Sequence, residues 1–211
     1  MVNGSPIIEG FIEAINLIIT LNPQVVEITI RSLYVSLTAT FFAALVALPA
    51  GALIYFYDFR GKHAVVSTLQ TLYALPTVIV GLIMFLLLSN IGPFGFLRLL
   101  YTPGGMIVTQ TVLIIPLLMG LTVSALSGID RDKRYTITAL GASRLQTVTT
   151  IIMEARFAVM SGVLLGFGRA IAEVGTVMIV GGNIRGATRV LTTAIALNTS
   201  MANYSMSIAL G

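Results

Sequence analysis

Two ionisable side chains, Arg169 and Glu173, sit inside a long apolar stretch and are the residues whose types and spacing could do chemistry. Four apart on a helix, they share one face and can pair. Arg169 lies about 18 Å along such a helix from Phe157, at a rise of 1.5 Å per residue. That is close to the middle of a hydrocarbon core about 30 Å thick. A charge there costs at least about 3 kcal/mol, so it faces protein or a water-lined path. Two roles follow. The pair is a structural ion pair that helps to fix an assembly, or Arg169 lines a path and offers its fork of donors to a passing tetrahedral anion. Gly162, Gly166, Gly168 and Gly175 flank the pair. Small residues let membrane helices approach closely, which suits a subunit interface or a translocation path.

Other chemistry is missing. The chain has no cysteine, so disulfides and thiolate metal sites are excluded. Its single histidine, His63, lies in a short charged loop. A membrane-embedded enzyme would need a nucleophile and base, or metal ligands, at membrane depth, and no metal site or cofactor is expected in this chain. No G-x-x-x-x-G-K-[ST] phosphate loop occurs, so the chain does not hydrolyse ATP itself.

The elements that must hold these residues are membrane spans. Of 211 residues, 56% are hydrophobic and 9% charged, with a mean hydropathy of +0.98. Soluble domains carry about 25% charged residues. Four stretches reach the roughly 20 apolar residues that a crossing needs: 32–57, 64–89, 104–126 and 157–180. A fifth begins near Ala202 and is cut off at Gly211, which reads as a truncated span. The expected fold is therefore an all-α membrane protein of about five transmembrane helices, forming one transmembrane domain over 1–211. Pro49, Pro76 and Pro116 lie within the first three spans and predict kinked helices around a pathway. The net charge of +4 and pI near 9.7 would raise nucleic acid as a partner in a soluble protein. Here the basic residues sit in loops and set topology instead. Arg60, Lys62, Arg131, Lys133, Arg134, Arg144 and Arg156 fall on one side, and Arg31, Arg98, Arg185 and Arg189 on the other. The positive-inside rule then places the N-terminus outside and 181–201 in an external loop. Residues 1–31 form an external segment. Ile7, Ile8, Phe11, Ile12, Ile15, Ile18 and Ile19 recur there at helical spacing, which fits an interfacial helix or a packed core helix equally.

The loop between the third and fourth spans, 127–156, is cytoplasmic and longer than a connection needs to be. Locally it predicts two short helices. One starts near Asp130 and stops at Gly141, a residue suited to the left-handed position past a helix end. The other runs from Arg144 to about Met153, opened by a capping box of Ser143 and Gln146. Leu145, Val148 and Ile152 would form its apolar face. A capped, charged excursion of this kind reads as an ordinary solvated loop or as a docking surface for a cytoplasmic partner.

Ala139, Leu140, Gly141, Ala142 and Ser143, with Ile151 beyond them, resemble the coupling loop of ABC-importer permeases. Tyr135, Thr136 and Ile137 replace that family's Glu-Ala-Ala, and Met153 and Glu154 its Leu-Pro. The segment from Gly166 to Gly175 is similar to permeases for molybdate, tungstate and sulfate. The stretch from Val180 to Leu197 is closest to tungstate permeases. The resemblance implies a type I importer fold with a cytoplasmic coupling helix in which Ala139–Ser143, Arg144 and Gln146 couple to an ATPase. It implies a homodimer in the inner membrane, two cytoplasmic ATP-binding subunits carrying the ATP and Mg²⁺, and an external solute-binding protein. The implied cargo is an oxyanion, tungstate first, with molybdate, sulfate or phosphate as alternatives. An ion-coupled secondary transporter is the competing class; it would show inverted repeats and several intramembrane acids, and a single such acid is present.

Overall fold

In a computed structural model, every regular element among the described residues, 6–211, is helical. For Pro6, Ile7, Arg131, Arg134 and Tyr135 the backbone alone is described. The helices are α1 Pro6–Ile19, α2 Pro23–Phe56, α3 Lys62–Leu72, α4 Thr77–Leu88, α5 Pro103–Ser127, α6 Arg131–Ala139, α7 Arg144–Ile171, α8 Gly175–Gly181, α9 Leu191–Ser200 and α10 Tyr204–Leu210. They form two compact units. The first gathers the N-terminal segment up to Thr38, Pro76–Gln110 and Ala170–Gly211; the second gathers Ala39–Leu75 and Thr111–Arg169.

In the first unit, α2 begins at Asn22-Pro23. The Asn22 side chain accepts the Gln24 N–H at 3.0 Å, and Pro23 occupies the first helical position, where a missing N–H costs nothing. Val25, Ile28, Ala194 and Leu210 form a core with Leu17, Ile195 and Met206 packed against it. Gly10 lets α1 lie against Tyr204 and Ser205 of α10. The isoleucine stripe of α1 is turned outward: Ile8, Phe11, Ile12, Ile15, Ile18 and Ile19 are all exposed. The buried-core option for that stripe is therefore not the one the fold takes. Ile7 belongs to the same pattern, but its side chain lies outside the described residues, as do residues 1–5. In the same unit α4 meets α8 through Met84, Leu88 and Val180.

The second unit packs on small residues. Along α2, Ala39, Ala43, Ala47 and Gly51 are buried, whereas Phe41, Phe42, Leu45 and Leu53 are exposed. Large apolar groups out and small ones in is the pattern of a lipid-facing helix, because lipid leaves no hydrophobic force to pull the large ones inward. Leu126, Ile151 and Ala155 close one end, with Tyr55, Phe56 and Ile129 against them.

The expected spans change in three places. α2 starts at Pro23 rather than near Ser32 and reaches 34 residues, about 51 Å. The second stretch is broken: Tyr73, Ala74 and Leu75 donate three residues back, and Pro76 then precedes a new helix, α4. Pro76 therefore marks an interruption, while Pro49 and Pro116 lie inside continuous helices. The fourth stretch starts at Arg144 and ends at Ile171, so it does not continue to Val180. Three described helices are long and apolar enough to cross a membrane, or four if α3 and α4 form one broken span. The stretch from Ala202 forms α10, seven residues packed on α1 and α9.

Candidate functional site: the loop at α6–α7 and the break after α7

Both caps foreseen in the 127–156 loop are present. The Asp130 carboxylate accepts the Asp132 N–H at 3.0 Å and opens α6. At the other end Ala142 N–H bonds to Ile137 O and Gly141 N–H to Thr138 O, with Gly141 at φ +85°. Those two bonds are a Schellman motif, which needs a left-handed residue where Gly141 stands. Ser143 and Gln146 then exchange their capping-box bonds, Gln146 Oε1 accepting from Ser143 N–H at 2.8 Å and Ser143 Oγ from Gln146 N–H at 3.3 Å. The helix they start is not a separate short one. It runs on as α7, because no residue between Met153 and Phe157 interrupts it. Its buried row includes Ile151 and Ala155; of the expected face, Leu145 is 77% exposed, Ile152 is exposed and Val148 is half-buried, so that face is turned mostly outward.

Beside the caps lies a cavity of about 470 Å³ lined by Phe56, Tyr57, Thr138, Ala142, Arg144 and Leu145, among others. The Arg144 guanidinium lies 5.8 Å from the Tyr57 ring centre. Leu140, Leu145 and Met153 are exposed apolar residues of the same loop and the first turns of α7. An ion pair between Lys133 and Glu154 ties α6 to α7. Through that hydrogen bond, and then through charge, Glu154 is held below the ordinary carboxylate value and Lys133 above the ordinary amine value. The side chain of Tyr135 lies outside the described residues.

At the far end of α7, Arg169 is exposed in the last turn, where a cation complements the helix dipole. Glu173 falls beyond the helix end, in the Ala172–Val174 break, so the shared helical face assumed for the two residues does not exist. Its side chain is 2% exposed, and Oε1 accepts the Thr176 N–H at 3.1 Å in the first turn of α8. The Glu173 carbonyl takes the Thr192 hydroxyl at 2.8 Å, and Gln110 Nε2 donates to Ala170 O at 3.0 Å. Gly162 and Gly166 turn toward Leu121 and Leu118 of α5 within the chain; Gly175 meets Val78, and Gly168 faces open space.

Residues 39–211 match the family model described as the inner membrane component of binding-protein-dependent transport systems. A tungstate uptake system permease protein of Peptoclostridium acidaminophilum is 45% identical over 205 residues, covering 97% of this chain and 90% of that protein. A probable anion ABC transporter permease of Haloferax volcanii is 41% identical, over 88% of this chain and 82% of that protein. A tungstate uptake system permease of Campylobacter jejuni is 36% identical, over 97% and 85%. The chain belongs to this family of ABC transporter permeases.

The permease is thus a membrane subunit, not an enzyme, and it works with a separate ATPase and a binding protein. Its loop at α6–α7 is a stiff, doubly capped surface with apolar side chains exposed. Sequence reasoning missed Lys133–Glu154, since its partners are 21 residues apart and no local pattern links them. It also missed Gln110, which bonds to Ala170, and Thr176 and Thr192, which bond to Glu173 from other helices. Only a buried Gln inside an apolar helix could have flagged Gln110.

Proposed function

We propose that this permease carries tungstate into the cytoplasm as one half of a homodimer. Two ATP-binding subunits, which hold the ATP and Mg²⁺, dock on 130–153, and an external binding protein delivers the oxyanion. The observation that carries the substrate is the likeness to two tungstate uptake permeases over 97% of the chain. The docking assignment is supported by the Schellman motif at Gly141 and the capping box at Ser143, which preform the loop. ATP-driven closure of the ATPases moves the loop only if it contacts their two states differently.

The dimer reading is supported by α7. Phe157, Met160, Leu164 and Leu165 are exposed along one helix with Arg169, also exposed, at membrane depth. Lipid would cover the four apolar residues but disfavours the charge; a second copy around a wet path accommodates both. The N-terminus lies outside, with the basic loops at Arg60 and 130–156 in the cytoplasm. Uptake of labelled tungstate by cells that have only this importer tests the substrate. Tungstate should saturate uptake, with molybdate and sulfate competing weakly; sulfate uptake that tungstate fails to inhibit would overturn the assignment.

A further inference from the structure

α1 is a helix with three faces. Successive residues turn by about 100°, so its positions can be placed around the axis from Gly10. Gly10, Ala14 and Leu17 fall within about 60° of one another and form the inner row. Gly10 and Ala14 are buried, with Tyr204 and Ser205 of α10 beside Gly10, and Leu17 packs on the core of Val25 and Ile28. Ile18, Phe11, Ile15, Ile8, Ile19 and Ile12 follow in that angular order over an arc of about 120°, and each is more than half exposed. Asn16, Glu9 and Glu13, all exposed, fill an arc of about 60° on the remaining side. The helix is also set apart from the span that follows it. Its 14 residues reach about 21 Å, short of a hydrocarbon core about 30 Å thick. Leu21 then takes a left-handed conformation and the Asn22 N–H closes on Leu17 O at 3.0 Å, which ends α1 and stops it from running straight into α2.

We infer that α1 docks on the bilayer itself, lying along the outer interfacial layer with its isoleucine arc against the acyl chains. The inference rests on the orientation proposed above and adds the surface that α1 occupies. A helix with protein on one side, apolar groups on the next and carboxylates on the third fits where protein, lipid and water meet. A second copy of the chain is the less suitable cover. Protein interfaces favour aromatic residues, Met and Arg at their centre, whereas this arc is all isoleucine but for Phe11 and offers no polar anchor. α1 carries no Lys or Arg, so apolar burial alone holds it, and Glu9 and Glu13 would be repelled by anionic headgroups. The fitting surface is therefore a neutral, zwitterionic one. In the same unit α2 exposes Ile30, Tyr34 and Leu37, apolar surface that lipid covers along a membrane span. Held at the interface, α1 fixes how deep the start of α2 sits.

The chain contains no tryptophan, so one introduced tryptophan reports from one place. The full-length permease is reconstituted in phosphatidylcholine vesicles whose acyl chains carry bromine either near the headgroup or near the chain end. Ile8→Trp and Ile19→Trp should lose fluorescence to the same degree, both more strongly to the shallow bromines, and Glu13→Trp should lose little to either. Positions 8 and 19 are about 16 Å apart along the axis. A helix crossing the membrane would set them at different depths, so unequal quenching would overturn the inference. So would escape from both bromines, whether the emission is blue-shifted, as under a second copy, or water-like. Sidedness is read separately: in intact cells Glu13→Cys should react with a membrane-impermeant maleimide. Reaction only after permeabilisation would overturn the orientation together with the outer placement, a result distinct from a failed depth measurement.

Discussion

Gly51 and Gly168 are both glycines inside long helices, and their surroundings give opposite expectations for alanine. Exchange of Gly for Ala in a helix interior gains up to about 1 kcal/mol from backbone entropy. At Gly51 the new β-carbon would lie 2.8 Å from the Met119 carbonyl oxygen and 2.8 Å from Thr122 Cβ. Backbone cannot swing aside, so α2 and α5 must separate, and overpacking of that kind costs about 1–3 kcal/mol. The clash wins: Gly51→Ala should lower the thermal midpoint of the detergent-solubilised permease, and Gly168→Ala, with nothing near, should not. A midpoint unmoved by Gly51→Ala would mean that the two helices do not approach as closely. Arg169 and Glu173 call for a different design. Leucine at Glu173 would strand the Thr176 N–H, whereas glutamine removes the charge and keeps an acceptor. The double variant Arg169→Leu with Glu173→Gln should therefore retain its ATPase through purification, since it leaves no charge buried at position 173. Its tungstate uptake should nonetheless fall well below wild type if the guanidinium guides the anion. Uptake at the wild-type level would remove Arg169 from the path.

The elements were legible in the sequence to the extent that they are local. Asp130, Gly141, Ser143 and Gln146 announced the ends of α6 and the start of α7, because caps are satisfied by neighbours a few residues away. Pro76 was legible as a kink but not as a full break, and the break at Ala172–Val174 was not legible at all, because what interrupts the helix there includes a buried carboxylate capping α8. The inward row of α7 was misjudged for the same reason, since Ile151 and Leu145 are equally apolar and only the packing partners choose between them. Gly141 allows a clean test at this scale. A β-carbon there would meet nothing within 4 Å, so the whole penalty of Gly141→Val is the backbone at φ +85°. A left-handed L-residue costs about 1–2 kcal/mol, and valine sits at the unfavourable end. The expected result is normal membrane insertion with loss of ATPase co-purification and uptake. Ser143→Ala, which removes half of the capping box, should show a milder loss consistent with about 1 kcal/mol. Docking that survives Gly141→Val would detach the loop's shape from its role.

Across the whole molecule, the proposed orientation puts the loop between α6 and α7 in the cytoplasm and the loop between α8 and α9 outside. Cationic residues are retained on the cytoplasmic side during insertion. The basic cluster around 130–156 is held together by its own structure, because Lys133 and Glu154 pair across α6 and α7. That pair is exposed and contributes little energy, but it holds charged groups of α6 and α7 together. The arginines at 31, 185 and 189 oppose this bias, and Arg31 and Arg189 are spent on loop carbonyls. Absence of cysteine from the native sequence makes single-cysteine labelling direct. In intact cells a membrane-impermeant maleimide should modify Arg185→Cys and leave Lys133→Cys untouched. After permeabilisation Lys133→Cys should react to a similar extent, unless bound ATPase covers it, which stripping the ATPase would reverse. The two sites report opposite faces, so one inverted result exposes an assay artefact while both inverted reverse the topology. Labelling of Lys133→Cys from outside together with protection of Arg185→Cys would place the coupling loop where no ATPase could reach it, and the importer assignment would fail with the orientation.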